Sequence, residues 1–96
     1  MEQALFAPLL GQPFLLQPPE GGAPVSVALV EARLLGPARA PGQRSPFALL
    51  FRAAAGGPVL PQRTYRVSHP ALPTMDIFLG PVATAGEGVG YEAVFN

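Results

Sequence analysis

Apolar and polar side chains alternate along much of the chain, and this pattern predicts short β-strands. In four segments the large apolar residues recur at every second position, which places them on one face of a strand. We expect Gly80 and Pro81 to interrupt the ladder of the third strand, because proline has no N–H group to donate to it. The four segments are residues 47–52, 64–69, 75–79 and 91–95.

The first third of the chain is harder to interpret. Residues 14–17 are predicted to form a first strand, and residues 5–10 an apolar turn or short helix closed by Gly11. Residues 25–35 contain good helix formers before a Gly-Pro stop, so a helix remains open. Alternation of Val25, Val27 and Leu29 with smaller residues favours a strand instead.

The sequence contains 13 prolines and 11 glycines, which end regular secondary structure. They are concentrated at residues 17–24, 36–46 and 54–61, which read as loops of ordinary length. Together with about six short strands they predict an all-β fold, a small antiparallel barrel or sandwich. We expect one domain over residues 1–96, in which residues 1–16 could form an apolar N-terminal arm with one short helix.

Composition narrows the function classes. A chain with 49% hydrophobic and 12% charged residues is expected to fold rather than remain disordered. Formal net charge is zero and the six basic residues are scattered arginines, so no nucleic-acid partner is predicted. No apolar run approaches the roughly 18 residues of a membrane helix. Residues 1–3, which precede the first apolar stretch, lack the positive charge that begins a secretory signal peptide. We therefore expect no membrane insertion and a soluble cytoplasmic product, which could later join an extracellular or phage-like assembly.

No catalytic, metal or cofactor site is predicted. His69 is the single histidine, and its neighbour Ser68 should project to the opposite face of the strand. A structural histidine, bonded to the turn that Pro70 begins, is the simpler interpretation. Gly86, Gly88 and Gly90 precede a strand rather than a helix, so they predict a hairpin turn and no phosphate loop. An enzyme is the least favoured class.

The absence of lysine suggests how the protein works. Exposed strand edges are commonly guarded by lysine, and this chain has none. Either the last strand or the N-terminal arm could pair across a subunit boundary, although the arm could equally pack on its own core. The candidate interface comprises Leu5, Phe6, Leu9, Leu10, Phe14, Tyr91, Val94, Phe95 and Asn96.

Four strings of residues carry a family resemblance. They are Phe-Ala-Leu-Leu-Phe-Arg at 47–52, Tyr-Arg-Val-Ser-His-Pro at 65–70, Ile-Phe-Leu-Gly-Pro-Val at 77–82 and Tyr-Glu-Ala-Val-Phe-Asn at 91–96. The chain resembles a family of small uncharacterised bacterial β domains associated with phage-tail-collar-like fibre proteins. Ala53 and Pro73 stand where the family pattern has glycine, so two turns are expected to differ. The resemblance implies an accessory or structural role and brings no catalytic residues.

Two functional hypotheses follow. The first is a non-enzymatic structural or protein-interaction module, self-assembling as a homo-oligomer or accessory to a phage-tail-like or extracellular fibre. The alternative is a small monomeric β-barrel that binds a peptide or small ligand, for which the available polar and aromatic groups are Arg52, Tyr65, Arg66 and Tyr91.

Overall fold

The computed structural model contains two short 3-10 helices followed by six β-strands. It describes residues 2–37, 40–42, 45–57, 59–83 and 88–96. The 3-10 helices are Gln3–Leu5 and Ala7–Leu9, which agrees with the turn or short helix predicted there. The strands are β1 (Pro13–Gln17), β2 (Val25–Leu34), β3 (Phe47–Ala53), β4 (Arg63–His69), β5 (Leu72–Val82) and β6 (Val89–Phe95).

The six strands close into one antiparallel barrel in the order β1-β2-β3-β6-β5-β4. Strands β1-β2-β3 form a first meander and β4-β5-β6 a second, and each outer strand of one meander pairs with an outer strand of the other. Because β3 lies beside β6, the second meander and β3 make a Greek key. The predicted all-β antiparallel barrel is thus confirmed.

Two strands resolve what the sequence pattern left open. Residues 25–34 form a strand, as the alternation favoured, with Val27 and Leu29 buried and Ser26 between them facing out. Gly80 and Pro81 interrupt the ladder with β4, as expected, because its last pair is Arg63↔Leu79, but β5 itself continues through both residues to Val82. Proline is tolerated there because pairing with β4 ends at Leu79, so no neighbour on that side needs its N–H group.

Large apolar side chains fill the barrel and both of its ends. Phe6 of the N-terminal segment is fully buried at one end, with ring centroids 5.9 Å from Phe47 and 6.2 Å from Phe95. At the other end Leu60, in the connection between β3 and β4, is also buried. The buried hydrophobic residues are Phe6, Leu9, Phe14, Leu16, Val27, Leu29, Phe47, Ala48, Leu49, Phe51, Ala53, Leu60, Tyr65, Val67, Ile77, Leu79, Tyr91 and Ala93.

Candidate functional site: a seam between β5 and β6

The most unusual feature of the barrel is the way β5 changes partner. In β2, Val27 and Ala28 pair with β1 on one side and with β3 on the other. In β5, pairing with β4 ends at Leu79, pairing with β6 begins at Gly80, and no residue pairs on both sides. The β5–β6 ladder has only three pairs, ending at Gly80↔Glu92. Beyond that pair no residues of the two strands are paired.

A groove, which we call the seam, lies beyond the last pair, between residues 76–79 of β5 and residues 94–95 of β6. Its volume is about 520 Å³. Phe78 on one side is 59% exposed and Val94 on the other is 51% exposed. Its lining consists of Gln62, Asp76, Ile77, Phe78, Leu79, Gly80, Pro81, Val82, Glu92, Val94 and Phe95. An apolar groove thus runs along two adjacent strands.

Main-chain polar groups point into the seam from both strands. Pro81 has no N–H group, so the ladder to β6 is made by its neighbours Gly80 and Val82. Alternate residues of an antiparallel strand direct their N–H and C=O groups to the same side, so those of Phe78 also face β6. The same alternation on β6 directs the groups of Val94 towards β5. Neither Phe78 nor Val94 is paired with a residue of the opposite strand.

Gly80 has no side chain, so Gln62 packs closely against it at the end of the seam next to the Gly80↔Glu92 pair. An added Cβ atom at Gly80 would lie 2.7 Å from Cγ of Gln62, closer than real side chains approach. The bare glycine therefore leaves room for Gln62 beside the last β5–β6 pair. This contact marks the boundary between the closed ladder and the open groove.

The charged residues of the seam are both acidic. Asp76 lies on β5, where its Oδ1 is 3.5 Å from Nε of Arg66 on β4. Glu92 lies on β6, where its Oε2 is 3.8 Å from Arg33, whose closer partner is Glu31 at 2.7 Å. The Arg66–Asp76 pair joins two residues that lie opposite each other on β4 and β5. Both contacts are long and solvated, so each contributes under about 1 kcal/mol.

The structure divides the predicted interface into buried and exposed residues. Phe6, Leu9, Phe14 and Tyr91 lie in the barrel's own core, so the sequence-based placement of these four at a contact surface is corrected. Phe14 and Tyr91 are buried from strands and Phe6 and Leu9 from the N-terminal helical segment, and burial of each large apolar side chain is worth roughly 1.5–3 kcal/mol. Exposed or half-buried members of the prediction are Leu5, Leu10, Val94, Phe95 and Asn96. Of these, Val94 and Phe95 line the seam.

The four residues of the alternative ligand site do not converge. Tyr65 and Tyr91 point into the barrel, where the Tyr65 hydroxyl donates to the Pro61 carbonyl at 2.6 Å. The Tyr91 hydroxyl accepts the Leu60 N–H at 2.9 Å. Burial raises the pKa of the Tyr65 hydroxyl above its ordinary value. Arg52 and Arg66 belong to β3 and β4, which are not neighbours, so these groups cannot form one site.

A more polar cleft lies where β4 extends past the end of β1. Its volume is about 690 Å³, and Arg63 within it binds Glu20 at 2.9 Å. Of the four residues named for the alternative, only Arg66 lines this cleft. The full lining is Gln17, Pro18, Pro19, Gly21, Arg63, Thr64, Arg66 and Asp76.

His69 has a structural role, as predicted. The Ala71 N–H donates to its Nδ1 at 3.0 Å, so Nε2 carries the proton and donates to Oε1 of Gln12 at 2.7 Å. The two bonds tie the β4–β5 turn to the segment before β1.

Of the predicted glycine turn, Gly86 lies outside the described residues, Gly88 has a φ of +91°, and Gly90 is in β6. Within the described ranges, no three His, Cys, Asp or Glu side chains gather as a metal site.

Sequence reasoning missed the seam, although one signal was present. Phe78 stands on the outward face of β5 beside Asp76, where a solvated strand would ordinarily carry a polar residue.

The described part of the chain contains no helix long and apolar enough to cross a membrane.

Comparison with known proteins places the chain by family. No curated protein and no solved structure matches it. One family model, described as a domain of unknown function, matches residues 1–95. This supports the resemblance to an uncharacterised domain family, while the link to phage-tail-collar-like fibres stays a prediction. Because the match spans nearly the whole sequence, the chain belongs to the family of the domain of unknown function DUF6916.

Proposed function

We propose that this chain is a non-catalytic protein-interaction module that accepts an extended segment of another protein at the β5–β6 seam. The observation that carries the proposal is the end of the β5–β6 ladder at Gly80↔Glu92, with Phe78 and Val94 exposed beyond it. A strand edge offers main-chain hydrogen bonds to an added segment, and the side chains beside it provide specificity.

The side chains along the seam favour the pairing of this strand edge with another segment and do not protect the edge from such pairing. Edges that avoid pairing carry lysine or inward-pointing charges, whereas this edge presents Phe78 and Val94. Exposed apolar side chains on both walls favour an occupant that covers them. The barrel interior is filled by its own side chains, so the outer groove is the better candidate for a binding surface.

Peptide selection tests the proposal directly. A displayed library of random peptides is panned against the wild-type chain and against Val94→Lys, which places a charge in the seam. We expect enriched peptides to lose binding to Val94→Lys and to keep it for Val30→Lys, because Val30 is 39% exposed on β2, which does not border the seam. Enriched peptides that bind both variants equally would contradict the proposal.

An assembly subunit, such as a homo-oligomer or fibre component, is the form of this function that the family resemblance favours. Light scattering after size exclusion, together with negative-stain electron microscopy, measures mass and shape. Rings or filaments from the wild-type chain, with smaller particles from Val94→Lys, would identify the occupant of the seam as a second copy of the chain. A monomer over a wide concentration range would contradict self-assembly and direct the search to a different partner chain.

A second candidate, small-ligand binding, is favoured by the polar cleft beside Arg63 and Arg66. Both guanidinium groups already contact carboxylates, Glu20 and Asp76 respectively. A ligand must therefore compete with these ion pairs, and we expect it to be anionic. Titration of the chain with small carboxylates and phosphates, followed by NMR shifts of the Thr64 amide, distinguishes the two functions.

A further inference from the structure

We infer that the seam recognises one particular kind of extended segment. Its outward side chains are an apolar residue and, two positions away, an arginine or lysine, and its inward side chains are small. This inference rests on the proposed function and specifies the chemistry of its partner. It follows from three properties of the seam: a filled floor, apolar walls and an acidic rim.

The floor of the seam is already filled. Ile77 is 3% exposed and Leu79 is 1% exposed, and both point into the packed core. Phe95 stacks on Phe47 with centroids 4.6 Å apart and an interplanar angle of 9°. A large inward side chain would have to displace these residues, and overpacking a filled core is unfavourable. The occupant's inward positions are therefore glycine, alanine or serine.

The walls determine the central outward residue. Phe78 and Val94 face the solvent on opposite sides of the seam. Neighbouring strands lie about 4.8 Å apart, so a side chain between these two residues would contact both of them. An apolar side chain at this position removes the exposed apolar surface from water.

The rim determines the flanking residue. Among the described residues that line the seam, Asp76 and Glu92 are charged and no arginine is present. Their contacts with Arg66 and Arg33, at 3.5 Å and 3.8 Å, are exposed and leave carboxylate lone pairs for another cation. Asp76 lies two positions from Phe78, which matches the spacing of outward side chains on an added strand. A cation two residues from the apolar one, on the side of Asp76, therefore meets a carboxylate, whereas on the other side the segment would reach the closed Gly80↔Glu92 pair.

The direction of the occupant does not have to be assumed. β5 and β6 are antiparallel, so any strand between them is parallel to one and antiparallel to the other. A probe that reads the same in both directions avoids the choice. We use the capped peptide Arg-Ala-Val-Ala-Arg, with Glu-Ala-Val-Ala-Glu and Arg-Phe-Val-Phe-Arg as matched comparisons for rim charge and inward size.

The test is an NMR titration of the full chain that follows the amides of Phe78 and Val94. We expect Arg-Ala-Val-Ala-Arg to bind with a Kd of about 1 mM or tighter. The acidic peptide should bind at least about tenfold more weakly through like-charge repulsion. The peptide with inward phenylalanines should bind about tenfold more weakly because the floor has no space for the rings.

Variants of the chain make the assignment specific. Asp76→Asn and Phe78→Ala should each weaken binding of the basic peptide about three- to tenfold. Glu20→Gln and Val59→Ala are matched controls, an exposed acid and an exposed apolar residue outside the seam, and should leave the Kd unchanged. Every substituted side chain is exposed, so the folded spectrum is expected to persist in all four variants.

The outcomes separate this inference from the proposed function. If the acidic or the phenylalanine peptide shifts the seam amides with equal or higher affinity, the seam binds segments but the inferred chemistry is wrong. If no peptide shifts these amides up to about 5 mM, where a Kd of 1 mM would be nearly saturated, the inference is overturned. The library selection described above then decides whether the seam binds any segment.

Discussion

The hairpins β2–β3 and β5–β6 occupy equivalent places in their meanders, yet they are held together differently. β2 and β3 have 10 and 7 residues and pair at seven positions across one bulge. β5 and β6 have 11 and 7 residues and pair at only three. Strand length therefore does not determine how far a hairpin closes.

The second meander gains stability from side chains instead. Tyr91 of β6 and Tyr65 of β4 bind Leu60 and Pro61 in the connection between the meanders. The rest of β6 is supported by β3, with which it pairs along its whole length. The second meander can therefore leave its β5–β6 ladder incomplete without losing its position in the barrel. An open seam is therefore compatible with a closed fold.

The largest expected effect comes from Gly88→Ala, which would break the approach of β6 to β3. Gly88 has a φ of +91°, and an added Cβ atom would overlap the Ala53 carbonyl oxygen. We expect the free energy of unfolding to fall by about 3 kcal/mol or more, through backbone strain and the steric overlap together. Urea unfolding measures the loss.

Gly22→Ala is the matched control for that substitution. Gly22 has a φ of +97° with no atom near an added Cβ, so only the strain of the left-handed backbone remains. We expect a loss of about 1 kcal/mol. Equal losses at the two glycines would show that the contact with Ala53 does not hold β6 in place.

Hydrogen exchange should reproduce the difference between paired and unpaired strands. The amides of Phe78 and Val94 face the seam, whereas those of Ala48 and Leu50 lie in β3, which is paired on both sides. We expect the seam amides to exchange about 100-fold faster, a difference of about 2.7 kcal/mol in local opening. NMR-detected exchange measures each amide, and equal protection would mean that the seam closes in solution.

Removal of the Tyr91 hydroxyl tests how strongly the connection supports β6. Tyr91→Phe leaves the buried Leu60 N–H without this acceptor, and we expect a loss of about 1–3 kcal/mol in unfolding free energy. The substitution keeps the ring, so core packing is preserved. Thermal and urea unfolding measure the effect, and a change below about 0.5 kcal/mol would contradict a stabilising role for this bond.

The smallest expected effect is that of Tyr65→Phe, which should cost about 1 kcal/mol at neutral pH. Its pH dependence is more informative. Burial raises the Tyr65 pKa above 10.0 in the folded protein, so the folded state holds this proton more tightly than the unfolded state. The corresponding stability is complete below about pH 10 and falls as the pH rises above it.

Urea unfolding from pH 8 to 11 tests this assignment. The wild-type chain should lose stability above about pH 10 more steeply than Tyr65→Phe, which has no phenol at this position to ionise. Parallel curves for the two chains would assign the alkaline loss to another group.

Local patterns in the sequence determined much of the fold. Alternation at residues 47–52 and 64–69 predicted β3 and β4 within one residue at each end, because a strand's period of two is visible in side-chain chemistry. The same reasoning favoured a strand at residues 25–35. It predicted the end of the β4 ladder before Gly80 and Pro81 but not the continuation of β5 to Val82, since the effect of a proline in a sheet depends on whether a neighbour needs its N–H group.

The seam itself was decided by the tertiary structure alone. Strand pairing joins residues far apart in the chain, and a periodic pattern does not record where one partner ends and another begins. The same limit explains why Phe6, Phe14 and Tyr91 were assigned to an interface. An apolar residue in a sequence does not show whether its side chain is buried in the core of its own chain or against a partner. The sequence by itself therefore determined the strands and the faces they bury. Only the closed barrel, in which β5 passes from β4 to β6 at Gly80 without overlap, decided which apolar residues remain at the surface.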